Sequence, residues 1–255
     1  MLPIVLEQSM WVALHLIYCN YNPTFVYNYF KSMPFFERAK MRKGVIATDA
    51  QSDSVYCINL AIHHLLAGSI MLVGWALSMP QVWDRGYCME VGYEVGEIVA
   101  MIARLYPYHN DSIKKELKYA LAFHHCVGLV VPFFIFASDL HEYPHLQSIA
   151  AWMVLQAGAG ACVVVYIHSL DFTKDMAKAA IMNNINVAFF LWTRYYVVPK
   201  EALALLDYLR ANESIYSSST HYVLYASATA LLLFNLAILG ELSIKTYKYN
   251  KVAFF

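Results

Sequence analysis

Charged residues are scarce in this chain of 255 residues. Asp, Glu, Lys and Arg make up 14% of it, whereas soluble proteins average about 25%. Acidic and basic residues balance at 18 each, so there is no basic excess of the kind that binds nucleic acid. Apolar residues make up 60% of the chain. A large soluble core could also bury this much apolar surface, so the arrangement of the apolar runs decides the class.

Paired cysteines and targeting signals are also missing. The five cysteines show no CxxC spacing and no disulfide framework, so we interpret them as reduced packing residues. The N-terminus lacks the charged flank and the small-residue cleavage site of a secretory signal, and we expect an internal helix to direct membrane insertion. Without repeats or low-complexity tracts, residues 1–255 are predicted to form a single integral membrane domain.

Several apolar runs approach the roughly 20 residues that cross a bilayer as a helix. They predict an all-α polytopic membrane protein with about seven transmembrane helices. The first is the weakest, because Glu7, Asn20 and Pro23 interrupt it. Linkers are short except for 31–53 and 199–220. The predicted spans are 4–30, 55–79, 87–106, 117–138, 146–168, 179–198 and 221–244.

The basic residues predict the orientation of these spans. With the N-terminus outside or lumenal and the C-terminus cytosolic, all but four of the 18 Lys and Arg residues fall on the cytosolic side. We expect the endoplasmic reticulum as the membrane, with an organellar inner membrane as the alternative. Of the two glycosylation sequons, the one at Asn212 then lies on the lumenal side and the one at Asn110 on the cytosolic side.

Polar residues recur at one depth of the predicted bundle. Ionisable groups inside a membrane are costly and usually mark a function or a watery cavity. At about 1.5 Å per residue, the His-His pairs of the second and fourth spans both lie roughly 10–12 Å from the cytosolic end. The residues assigned to this layer or just beyond it are His63, His64, Glu97, His124, His125, His168, Asp171 and Asn183.

Three interpretations of these histidines are open. The first is acid–base catalysis, since histidine titrates near neutrality and a carboxylate such as Glu97 would assist it. The second is a metal site, because four histidines and a carboxylate could hold iron or zinc. The spacing is not that of the His-x-x-His-His boxes of membrane hydroxylases and desaturases, so we predict no metal. The third is helix packing through hydrogen bonds, which we favour for His63-His64 taken alone.

Three glutamates recur along the predicted third span. Glu90, Glu94 and Glu97 are spaced i, i+4 and i+7, so they share one face of the helix. Glu90 and Glu94 are expected nearer the outer surface, where they would line a hydrated end. Arg194, near the outer end of the sixth span, is expected to form a structural ion pair with one of them.

Four short motifs resemble those of a known family. They are Gly-Tyr-Glu-Val-Gly-Glu at 92–97, Ala-Phe-His-His-Cys-Val-Gly at 122–128, Ile-His-Ser-Leu-Asp at 167–171 and Phe-Phe-Leu-Trp-Thr-Arg at 189–194. In order and spacing they resemble the TLC domain family, which includes ceramide synthases and translocon-associated and lipid-handling proteins. The resemblance covers roughly residues 50–245.

This resemblance implies a fold and a reaction. The fold would be six helices around a lipid tunnel with a seventh outside. The reaction would be acyl transfer from acyl-CoA, as co-substrate, to a lipid amine or hydroxyl, with His124 and His125 as base and acyl-transfer participant and Glu97 as the acidic residue. Ser169 stands where the family places its first aspartate, which keeps open a non-catalytic structural or lipid-binding subunit of a larger membrane complex. The expected contacts to lipid or substrate are His63, His64, His168, Asp171, Asn183 and Arg194.

Overall fold

The structure is a computed structural model. It describes residues 6–17, 47–105, 119, 122–127, 130, 134–135, 138, 140–171 and 174–254, with the backbone alone for 47–56. Within these residues the protein is helical and contains no strand, which confirms the predicted all-α class. The described cysteines carry free thiols, as expected.

Short connections separate several of the helices, Ala76 from Pro80, Ser169 from Met176 and Ala211 from Ser218. A 3-10 turn, Leu140–Glu142, leads into one of them, and a π-helical turn, Trp192–Val197, joins two others end to end. Residues 122–127 are helical and are called here the histidine segment. The remaining helices are α1 (6–17), α2 (Ala47–Ala76), α3 (Pro80–Ile102), α4 (Pro144–Ser169), α5 (Met176–Leu191), α6 (Val198–Ala211) and α7 (Ser218–Phe254).

Three of the described helices are long and apolar enough to cross a membrane. They are Cys57–Ala76 within α2, Pro144–Ser169 (α4) and Ser218–Phe254 (α7). They correspond to the second, fifth and seventh predicted spans. In α7 only 11% of the most apolar stretch is buried inside the protein, so most of its apolar surface faces outward. Exposed apolar surface on this scale marks a membrane or partner interface, and here it supports an integral membrane protein.

The other four predicted spans are less apolar, shorter or less fully described. The structure describes 6–17 of the first and mainly the histidine segment of the fourth. α3, in the third, carries three glutamates, and α5, in the sixth, has 16 residues before the π-helical turn. The seven-span arrangement therefore stays a prediction, while the all-helical architecture with three apolar spans is established for the described residues.

The predicted linker 199–220 is helical over its first half, where Val198–Ala211 forms α6. Proline lacks the N–H that continues the helical hydrogen-bond ladder, and Pro199 lies within this helical stretch. The chain nevertheless stays helical through the π-helical turn into α6, and Pro199 lies two residues after that turn. α6 then buries Leu205 and Leu209 in the core.

Close helix packing sets the register of α2 against α4. A Cβ atom at Gly68 would lie 2.6 Å from the backbone nitrogen of Leu155, and one at Gly158 would lie 2.7 Å from that of Leu65. These two contacts run in opposite directions along the chain, so the helices are antiparallel. Small residues of this kind let membrane helices approach closely. The same register places the backbone of His64 against Gly158.

A tight turn sets the register of α2 against α3. Ser78 adopts the left-handed conformation, with φ 53°, and the N–H of Met79 donates to the carbonyl of Gly74 at 2.7 Å. This is the Schellman arrangement that closes a helix C-terminus. Because only residues 77–79 separate the two helices, α3 folds straight back along α2 and carries its glutamates past the histidines of α2.

Candidate functional site

The three glutamates of α3 are all buried, with 7%, 7% and 1% of Glu90, Glu94 and Glu97 exposed. Each contacts a histidine from a different element, which explains how three carboxylates are accommodated, since an unpaired buried charge is strongly unfavourable. The pairs are Glu97 with His15 of α1, Glu90 with His64 of α2, and Glu94 with His125 of the histidine segment.

Glu94 joins the two members of the His124-His125 pair. One oxygen accepts a hydrogen bond from Nδ1 of His125, and the other lies 3.8 Å from Nε2 of His124. His125 is 4% exposed, whereas the side chain of His124 is 32% exposed and stacks on Phe234, with ring centroids 4.6 Å apart. The two histidines therefore differ: His125 is buried and hydrogen-bonded to Glu94, whereas His124 is accessible.

The carboxylate beside this pair is thus Glu94, whereas the sequence predicted Glu97. Glu97 lies almost one turn further along α3, and its Oε1 is 2.9 Å from Nε2 of His15. The predicted depth put Glu97 level with the histidines and Glu94 nearer the outer surface. The two are only about 4.5 Å apart along the helix, so a shift of a few residues in a predicted span end exchanges them. His15 was missed altogether; the signal available was a histidine inside the first apolar run.

The expected ion pair between Arg194 and Glu90 or Glu94 is wrong. Both glutamates are buried against histidines, so they do not line a hydrated end as predicted. Arg194 is also buried, and its guanidinium is held by neutral oxygens. Those acceptors are Oε1 of Gln156 at 3.3 Å, Oδ1 of Asn235 at 3.5 Å and the carbonyl of Met153 at 3.1 Å.

A second group of polar side chains surrounds Glu90. Its Oε2 lies 2.9 Å from Nδ1 of His64 and 3.7 Å from Nε2 of His63. Tyr93 stacks on His63 with ring centroids 4.3 Å apart and meets the edge of His64 at 5.2 Å. Glu90 and Glu94 are neighbours on one face of α3, so this group and the His124-His125 pair lie side by side, as their common depth predicted.

An apolar cavity of about 270 Å³ lies against both groups. Its lining on α3 runs from Trp83 to Glu94, a distance of about 16 Å along the helix axis. The first part of that lining is aromatic and aliphatic, and the polar groups come at the Glu94 end. Such a cavity, apolar along its length with a few convergent polar groups, suits an amphiphilic ligand. The carboxylate, imidazole and guanidinium groups in the lining are those of His64, Glu90, Glu94, His124 and Arg194.

Three predicted site residues lie away from this cavity. His168 is ten residues beyond Gly158, the residue of α4 that packs against His64, which places it about 15 Å along the helix. Asp171 follows that helix, and its N–H donates to Asp175 at 3.3 Å. Asn183 donates to the hydroxyl of Thr246 on α7 at 2.7 Å. None of the three is among the described residues that line the cavity.

No protein-family model, curated protein or solved structure matches the chain. The resemblance to the TLC domain family stays a prediction that rests on its four motifs.

Proposed function

We propose that the chain is a membrane protein that binds an amphiphilic lipid in this cavity and that His124 removes a proton from the polar group of that lipid. The observation that supports the proposal is the position of the Glu94–His124 pair in the lining of an apolar cavity. The apolar lining would hold a hydrocarbon chain, and the polar end would receive its amine or hydroxyl. This assignment gives the two histidines different roles.

His124 is the proposed general base, because it faces the cavity while its Nε2 lies near a carboxylate. A negative charge at Glu94 stabilises the imidazolium that forms when His124 takes a proton. His125 positions Glu94 through its hydrogen bond and does not line the cavity. Arg194 also lines the cavity, and its positive charge would stabilise negative charge that develops on the reacting group.

The reaction that we propose for this arrangement is acyl transfer, as the resemblance to the TLC domain family implies. The amine or hydroxyl attacks the thioester carbonyl of acyl-CoA while His124 takes its proton. The carbon–sulfur bond then breaks, and the imidazolium returns the proton to the leaving thiolate. We extend the proposal to the family's architecture, with seven spans, six of them around the tunnel, in the endoplasmic reticulum with the N-terminus lumenal.

The test compares His124→Gln with a matched control. His145→Gln is the control, because His145 pairs with Glu201 outside the described cavity lining. Each protein is purified in lipid nanodiscs, its bound lipids are identified by mass spectrometry, and labelled acyl-CoA is added with lipid amines and alcohols. We expect His124→Gln to keep its bound lipid and lose acylated product, while the control keeps both.

Two results would contradict parts of this proposal. Equal product from wild type and His124→Gln would remove His124 from the reaction. Bound lipid without product in the wild-type protein would instead support the non-catalytic alternative, a lipid-binding subunit of a membrane complex. The absence of any retained amphiphile in all three proteins would overturn the assignment of the cavity itself.

A further inference from the structure

We propose that His63, His64 and Glu90 form a binding site for a divalent transition metal ion, with zinc as the ion whose ligand preferences they meet. The three residues each offer one ligand atom, and these atoms lie within 4.8 Å of one another. Among the described residues this is the group of three that meets that condition. The spacing of the histidines along the chain does not reveal this site, because the third ligand, Glu90, comes from a different helix.

The distances within the group fit an ion of this size. Zinc binds histidine nitrogen and carboxylate oxygen at about 2.0–2.1 Å, so two ligands of a tetrahedral site stand about 3.4 Å apart. Oε2 of Glu90 lies 2.9 Å from Nδ1 of His64 and 3.7 Å from Nε2 of His63. Both distances are within about half an ångström of the required separation. The third pair of ligand atoms, from His63 and His64, lies within 4.8 Å, so ring rotations that bring these two nitrogens closer would complete the site.

The two histidines reach one point by using different ring nitrogens. Adjacent residues on a helix point about 100° apart, and the ring centroids of His63 and His64 are 5.8 Å apart. His64 presents its near nitrogen, Nδ1, and His63 presents its far nitrogen, Nε2, so both point toward Glu90. The stack of Tyr93 on His63 holds that ring in place.

A second observation independently indicates a ligand. Nε2 of His63 is buried and has no hydrogen-bond partner among the described residues. A buried polar nitrogen in this state is unfavourable and calls for an explanation. A metal ion between His63 and Glu90 would give this nitrogen a partner, which the ordinary hydrogen bond between His64 and Glu90 does not.

The position of the group indicates the kind of metal site. His64 and Glu90 line the cavity, whereas His63 is not among its lining residues. Three protein ligands with a fourth position open to a cavity is the arrangement of reactive zinc sites, while structural sites have four protein ligands. The fourth ligand would be water or the polar group of the molecule in the cavity.

The experiment measures metal binding directly. The full-length protein in nanodiscs is stripped with a chelator and titrated with cobalt, which replaces zinc and gives strong visible absorption when four-coordinate. We expect about one equivalent to bind and zinc to displace it. Glu90→Gln and His63→Asn should each weaken binding by at least about tenfold, whereas His145→Asn, from a pair with a single histidine, should leave it unchanged.

Each negative outcome has a defined meaning. Wild-type protein that gives no four-coordinate cobalt spectrum overturns the site, and this holds even if a variant fails to fold. Equal binding by wild type and Glu90→Gln overturns the ligand set. The metal site is proposed independently of the lipid chemistry, and we therefore expect His124→Gln to retain the metal. Loss of product in this variant with the metal still bound would show that the two functions are separate.

Discussion

At the scale of single residues, the main feature is a set of three glutamates along α3, each of which contacts a histidine from another part of the chain. The spacing of Glu90, Glu94 and Glu97 was enough to predict one shared face, and the depth of the histidines was enough to predict one polar layer. The pairing itself could not be predicted. It depends on the rotation of each helix about its axis, which is set by side-chain packing and by contacts such as that of Gly96 with His15.

Substitutions at Glu94 should separate the effect of its negative charge on product formation from the effect of its side chain on stability. In Glu94→Gln the side chain keeps its size and can still bond His125, so we expect the protein to fold, with product formation reduced at least about tenfold because the imidazolium loses its counter-charge. In Glu94→Ala the buried His125 loses its partner, and we expect destabilisation by about 3 kcal/mol. Product assays and thermal unfolding in nanodiscs measure the two effects. Equal stability of both variants would contradict the structural role of the pair.

Asp84, near the start of α3 and outside the apolar spans, should make stability depend on pH. Burial raises the pKa of its carboxyl above the ordinary value of 3.8, so the folded state favours the protonated form. Its contribution to stability is greatest below that ordinary value and is lost as the pH rises through the folded pKa. The charged neighbours act in both directions: His141 and Arg85 lower the pKa, and Glu142 and Glu7 raise it.

The variant Asp84→Asn tests this directly. We expect it to raise the melting temperature at pH 7 to 8, where the wild-type carboxylate is charged, and to leave it unchanged near pH 3. Melting curves of both proteins across this range are the measurement. A variant that is less stable than wild type at pH 8 would show that the charged carboxylate is stabilised by a partner, contrary to the effect of burial.

At the scale of elements, the sequence predicted the apolar helices well and the amphipathic one poorly. α2, α4 and α7 carry long apolar runs that leave little choice of structure in a membrane. α6 falls almost entirely in 199–220, which was predicted as a linker because it lies between two apolar runs. A π-helical turn has no sequence signature of comparable strength, so the continuation from α5 to α6 appears only in the structure.

The antiparallel packing of α2 on α4 depends on glycines that can be tested with a matched pair. In Gly68→Ala the new methyl group would meet the backbone of Leu155 at 2.6 Å, and we expect destabilisation by about 1–3 kcal/mol. In Gly240→Ala the methyl group would meet nothing within 4 Å, and the better helix propensity of alanine should stabilise α7 slightly. Thermal unfolding of the two variants is the measurement, and equal effects would contradict the close approach.

At the scale of the whole molecule, the described residues establish an all-helical protein with three apolar spans, and the predicted orientation can be tested at one asparagine. Asn212 ends α6, with its side-chain amide bonded to the carbonyl of Tyr208, and lies in the turn before α7. With the N-terminus lumenal, we expect glycosylation of Asn212 in microsomes and none at Asn110, which lies outside the described residues. A mobility shift abolished by Asn212→Gln would agree, and one abolished by Asn110→Gln would reverse the orientation.

The polar face of α3 has a consequence for how the protein is made. Its three carboxylates are buried, and a buried carboxylate without a partner is strongly unfavourable, so the helix depends on histidines that other parts of the chain supply. A ribosome releases α1 and α2 first, and therefore His15 and His64 are ready to receive Glu97 and Glu90 as α3 emerges. Glu94 must wait for His125, which is synthesised later. The Glu94–His125 pair, which lies beside His124, is thus the last of the three to form. A nascent chain interrupted after α3 would contain the α2–α3 hairpin without its proposed reactive centre.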